Sequence, residues 1–135
     1  MKISFTVPGD PVPKGRPRFR MATGTTYTPT KTKRYERLVR ESWAAQSGKK
    51  FDEEPIRLVV TAVFRIPKSY SKKLKQYLPG RAHVKAPDID NVVKAVLDGC
   101  NGYAFEDDRF IAEIIARKEY GMIPRTMVLL ETIEK

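Results

Sequence analysis

The segment PDIDNVVKAVLDGC, residues 87–100, followed after a short glycine-containing loop by Glu106-Asp107-Asp108, carries most of the information in this chain of 135 residues. Pro87 holds its predecessor extended and stops any helix from entering the segment. From Asp90 onward, Val92, Val93, Val96, Leu97 and Cys100 fall on one apolar stripe at helical spacing, which Asn101-Gly102 ends. Asp88 and Asp90 lie two apart in the extended entry, so both carboxylates can face one side at the helix start, with Asp90 as N-cap. The free N–H groups there satisfy only part of two adjacent anions, and a divalent cation would satisfy the rest. Oxygen-only ligation suits Mg2+ or Mn2+. Lys94 follows Asp90 by one turn on the same face, and Asp98, another turn along, can hold its ammonium group. If the chain turns back toward the helix start after the loop, Glu106-Asp107-Asp108 supplies a third carboxylate. Taken singly, these acids read as a cap and a solvated turn; clustered beside a basic chain, they suit a metal-dependent phosphodiesterase.

Outward from this segment, helical and extended patterns alternate. Residues 56–66, IRLVVTAVFRI, are rich in β-branched side chains and read as a buried strand ended by Pro67. Ser71 opens a short basic helix, SKKLKQYL. Residues 110–120 and 126–134 read as two strands around a turn at 121–125. Toward the N-terminus, Ile3, Phe5 and Val7 alternate as a strand, and residues 9–30, with Lys14, Arg16, Arg18 and Arg20, form a basic loop or arm. Thr30 is the expected cap of a helix to Gln46, with Tyr35 and Trp43 on its core face. Cys100 reads as a small buried hydrophobe, and His83, between Arg81 and Lys85, as able to touch phosphate.

Length predicts a single domain, residues 1–135, large enough for a core of its own. The formal net charge of +10 divides into +14 over residues 1–87 and −4 over 88–135, which points to a polyanionic partner gripped by one region and worked on by another. No run approaches the ~20 apolar residues of a membrane span, and the first ten residues do not resemble a secretory signal. One cysteine and one histidine exclude an intramolecular disulfide, a cysteine zinc cluster and any site that needs two histidines. Phosphate contacts are expected from Lys14, Arg16, Arg18 and Arg20 on the arm and from Lys72, Lys73 and Lys75 on the short helix.

Asp88-Ile89-Asp90-Asn91-Val92-Val93-Lys94 through Asp98, with Phe105-Glu106-Asp107-Asp108, resembles the signature of the RusA family of Holliday junction resolvases, metal-dependent endodeoxyribonucleases often carried by phages and prophages. The run PVPKGRPR at 11–18, with Tyr27-Thr28-Pro29, is similar to the N-terminal motif of the family's phage and Gram-positive branches. The resemblance implies an α+β fold, a mixed β-sheet packed with helices, and a homodimer with two active sites about a twofold axis. It implies Asp88, Asp90 and Asp108 as metal-binding carboxylates, with Asp107 the alternative to Asp108, and Lys94 as the catalytic lysine. Mg2+, with Mn2+ possible, is the implied cofactor. Paired nicking of four-way DNA junctions in recombination and repair, in the cytoplasm of a bacterial host, is the implied activity. Two other readings of the residues stay open: a non-catalytic basic DNA-binding protein, and a metal-dependent nuclease acting on other branched or single-stranded nucleic acid.

Overall fold

The strand at 56–66 is apolar along nearly its whole length, so it needs neighbours on both edges and cover on its inner face. In the computed structural model, which describes residues 1–133, it has both. The elements in chain order are β1 (Lys2–Pro8), β2 (Arg18–Arg20), β3 (Thr25–Tyr27), α1 (Thr30–Gln46), β4 (Ile56–Arg65), α2 (Lys72–Tyr77), α3 (Ile89–Cys100), β5 (Ile111–Gly121) and β6 (Arg125–Thr132). A 3-10 turn at Asp108–Phe110 leads into β5. The main sheet runs β1-β6-β4-β5. β1 and β4 pair antiparallel with β6, and β4 pairs parallel with β5. This is the mixed sheet and α+β architecture expected.

β4 and β5 are joined through α3, the kind of crossover that a parallel pair requires. Alternate residues of β4 (Ile56, Leu58, Val60, Ala62), β1 (Ile3, Phe5, Val7) and β6 (Val128, Leu130) are buried in one core with Tyr35 and Val39 of α1 and Val92, Val93, Val96 and Cys100 of α3. The two helices meet at Gly99: a Cβ there would lie 2.8 Å from the Val39 side chain and 2.9 Å from the Glu36 carbonyl oxygen. Burial pushes the Cys100 thiol up to about 12, so it packs as a hydrophobe.

Several local expectations are corrected. The two strands expected around the 121–125 turn are present as β5 and β6; they are not neighbours, because β4 lies between them and takes a partner on each edge. The last strand ends at Thr132, and the predicted extension to Glu134 lies outside the described residues. The arm is not all loop, since Arg18–Arg20 and Thr25–Tyr27 close a small hairpin of their own. Pro29 rather than Thr30 occupies the N-cap of α1, and Asp88 rather than Asp90 that of α3; neither cap makes a side-chain hydrogen bond. Ser71 does cap α2, its hydroxyl accepting from the Leu74 N–H at 3.2 Å. Tyr35 is buried as expected, and Trp43 is partly buried, its indole N–H donating to the Lys49 carbonyl at 3.1 Å.

Candidate metal and nucleic-acid site

Because α3 returns the chain from the carboxyl end of β4 to the amino end of β5, its first turn sits at the carboxyl ends of the parallel pair. Open α/β sheets commonly bind ligands there. Asp88, in extended backbone, and Asp90, in the first helical turn, are both exposed. Neither makes an ion pair or a capping hydrogen bond among the described residues. Two neighbouring carboxylates without a cationic partner, offering only hard oxygen donors, fit a Mg2+- or Mn2+-sized ion that keeps several waters. Among the described residues, no three His, Cys, Asp or Glu side chains converge into a metal cage.

The backbone leading to Asp88 is held tightly. Residues 80–83 pair with the outer edge of β5 through Gly80 N to Tyr120 O (2.8 Å), Tyr120 N to Arg81 O (2.9 Å) and His83 N to Lys118 O (2.9 Å). Lys118 Nζ then donates to the carbonyls of Lys85 and Pro87, both at 2.7 Å. His83 is buried, stacked on Phe64 at 4.2 Å and edge-on to Tyr120 at 4.8 Å, so it is not the phosphate contact expected of it. Burial, with the nearby charges of Lys118 and Lys85, lowers its pKa below 6.5. Lys85 donates to the Tyr70 hydroxyl at 2.6 Å, a contact that lowers the Tyr70 pKa. Sequence reasoning missed Lys118. Its signal was a lysine on the same face of the strand as Ala116 and the buried Tyr120.

Lys94 is where the spacing put it, 3.5 Å from Asp98 with its side chain 53% exposed. Asp98 is shared. Lys14, expected on phosphate, lies 2.9 Å from Asp98 and 2.8 Å from Glu36, and its side chain is only 20% exposed. Burial works against its charge, yet the hydrogen bonds it donates to Glu36 and Asp98 outweigh that and raise its pKa above 10.5. Lys14 is therefore a structural clamp. Its own N–H donates to the Asn91 carbonyl at 2.9 Å, tying the arm across the start of α3.

Asp108 is not beside Asp88 and Asp90 within one chain. Its N–H donates to Asn101 Oδ1 at 3.0 Å, which fixes it at the far end of α3. Twelve helical residues separate the ends, about 18 Å at 1.5 Å per residue. Asp107 is there too, 3.4 Å from Arg109, and Glu106 pairs with Lys50 at 2.7 Å. The loop after α3 leads directly into β5 and does not double back. The other expected phosphate contacts are exposed and free of ion pairs among the described residues: Arg16 on the arm, Arg18 and Arg20 on β2, and Lys72, Lys73 and Lys75 on α2. The arm is tied to Asn91 in the first turn of α3, and Lys75 of α2 lines a hollow with Arg65 and Gly121 at the carboxyl ends of β4 and β5.

A family model described as Endodeoxyribonuclease RusA matches residues 8–131, nearly the whole chain. The chain belongs to the RusA family. It is also 28% identical over 137 aligned positions to the uncharacterized protein YqaN of Bacillus subtilis (strain 168), an alignment covering 97% of this chain and 96% of that protein. Membership in a RusA family of endodeoxyribonucleases makes DNA the polyanion that the charge distribution calls for. Among the described residues, no helix is long and apolar enough to cross a membrane.

Proposed function

We propose that this RusA-family protein is a divalent-metal-dependent endonuclease that resolves four-way DNA junctions by paired nicks in the bacterial cytoplasm. The carrying observation is the pair Asp88 and Asp90, unpaired at the carboxyl ends of β4 and β5 and flanked by cationic, otherwise uncommitted elements. Asp88 and Asp90 hold the cation, Mg2+ or Mn2+. When bound, it supplies a polarised water and charge neutralisation at the phosphate. Lys94, kept near by Asp98, offers its ammonium to the charge that grows on the phosphate oxygens. Arg16, Arg18, Arg20 and the α2 lysines hold flanking phosphates and set the register of the strand. Attack opposite the 3′ oxygen leaves a 3′-hydroxyl and a 5′-phosphate, a nick that ligase can seal.

A second copy completes the site. The outer edge of β5 is covered by residues 80–83 at its carboxyl end and is open over 111–117, with Ile114 and Ile115 47% and 57% exposed. Antiparallel pairing of two such edges about Ile114 would bring the partner's Asp108 to the end of β5 that carries Asp88 and Asp90. Bare apolar strand edges are what sheet proteins cover, and a twofold assembly presents two sites to opposed strands.

The test offers a mobile four-way junction beside duplex, flap and single-stranded substrates, with Mg2+, Mn2+ or EDTA. Paired symmetrical incision of the junction, abolished by EDTA and by Asp90→Asn, is expected. Binding without metal-dependent incision would make the protein a DNA-binding module; preferential cutting of flaps or single strands would reassign the substrate.

A further inference from the structure

The β2–β3 hairpin pairs only with itself and stands apart from the main sheet. Its first strand and turn read Arg18-Phe19-Arg20-Met21, with Phe19 58% and Met21 86% exposed. Strand alternation sends the two arginines to one side, where the Arg20 guanidinium lies 4.5 Å above the Tyr27 ring, and Phe19 to the other. The hairpin is close to the carboxylates. Lys14, four residues before β2, is bonded to the carbonyl of Asn91, next to Asp90, and four extended residues reach at most about 14 Å.

We propose that this hairpin is a wedge that stacks Phe19 and Met21 on bases exposed where DNA strands exchange, while Arg18 and Arg20 hold the adjoining phosphates. The proposal rests on the nuclease reading above and specifies how that site selects branched DNA. Phosphate offers nothing to a phenyl ring or a thioether, but the face of a base offers stacking to both. Arginines on one side and an aromatic ring on the other suit a ribbon lying between backbone and bases. Insertion into continuous duplex must break base stacking, whereas bases at a branch point are already partly unstacked. The wedge therefore favours junctions over linear DNA without reading sequence.

The experiment uses a synthetic four-way junction carrying 2-aminopurine, whose fluorescence rises when it unstacks, either at the branch point or within an arm. It is run in EDTA so that nothing is cut, with binding followed separately by anisotropy. Wild-type protein is expected to raise the branch-point signal and leave the arm signal unchanged. The double variant Phe19→Ala, Met21→Ala should lose the rise and bind the junction roughly fivefold or more weakly, with linear duplex affinity little changed. Phe19→Tyr, which keeps the ring, should retain the rise and serves as the folded control. Wild-type binding without a branch-point rise, or an unchanged rise and junction preference in the double variant, overturns the wedge alone. Failure to bind any DNA overturns the wedge and the nuclease reading together.

Discussion

Asp90 and its neighbour Asp88 have no ion pair among the described residues, and of the acids around α3 only Asp108, at its other end, shares that. Asp98 is held by Lys14 and Lys94, Asp107 by Arg109 and Glu106 by Lys50. Asp90→Asn keeps the shape and removes the charge, so cleavage should fall by about a thousandfold or more. DNA binding, read by anisotropy, should be unchanged or tighter. The same scale carries a pH prediction at His83. Its folded-state pKa lies below 6.5, so the unfolded chain takes up the proton first, and stability that is complete above pH 6.5 declines as the pH falls below it. Urea midpoints from about pH 7.5 to about pH 5.5 should drop for the wild type and stay flatter for His83→Phe, which cannot protonate. The placement of Asp88, Asp90 and Lys94 at the start of α3 was legible because their spacing within one segment fixes it. His83 and Lys14 were misread because burial and partners from distant segments decide their roles.

The elements were legible wherever one period ran without interruption. β4, α1 and α3 follow from apolar residues at their own spacings, and Pro67, Gly48, Pro87 and Gly102 mark their limits. Strand partners were not legible, because nothing within β5 or β6 says that β4 separates them. Nor was the close approach of α1 and α3, for which Gly99 is required by Val39 and the Glu36 carbonyl rather than by a turn. Gly99→Ala should cost about 1–3 kcal/mol in urea unfolding, since backbone cannot yield as a side chain can. The loop after α3 was misjudged for a related reason: a parallel partner for β4 obliges α3 to carry the chain the length of the sheet, which leaves Asp108 at the wrong end of its own helix.

For the whole molecule, net charge, family and cation-bearing elements agree on a DNA partner. Contacts to six to ten phosphates predict an affinity loss of about 10³–10⁵ between 50 and 200 mM salt, and a flat profile would contradict an electrostatic grip. In the proposed dimer a complete site draws Asp88 and Asp90 from one copy and Asp108 from the other. Asp90→Asn and Asp108→Asn proteins, each inactive alone, should regain activity when unfolded together and refolded as a mixture. Each mixed dimer would own one intact site, giving about a quarter of wild-type nicking in Mg2+ on a four-way junction, mostly as single-strand nicks. No recovery, with mixed dimers present by mass spectrometry, would contradict the shared site.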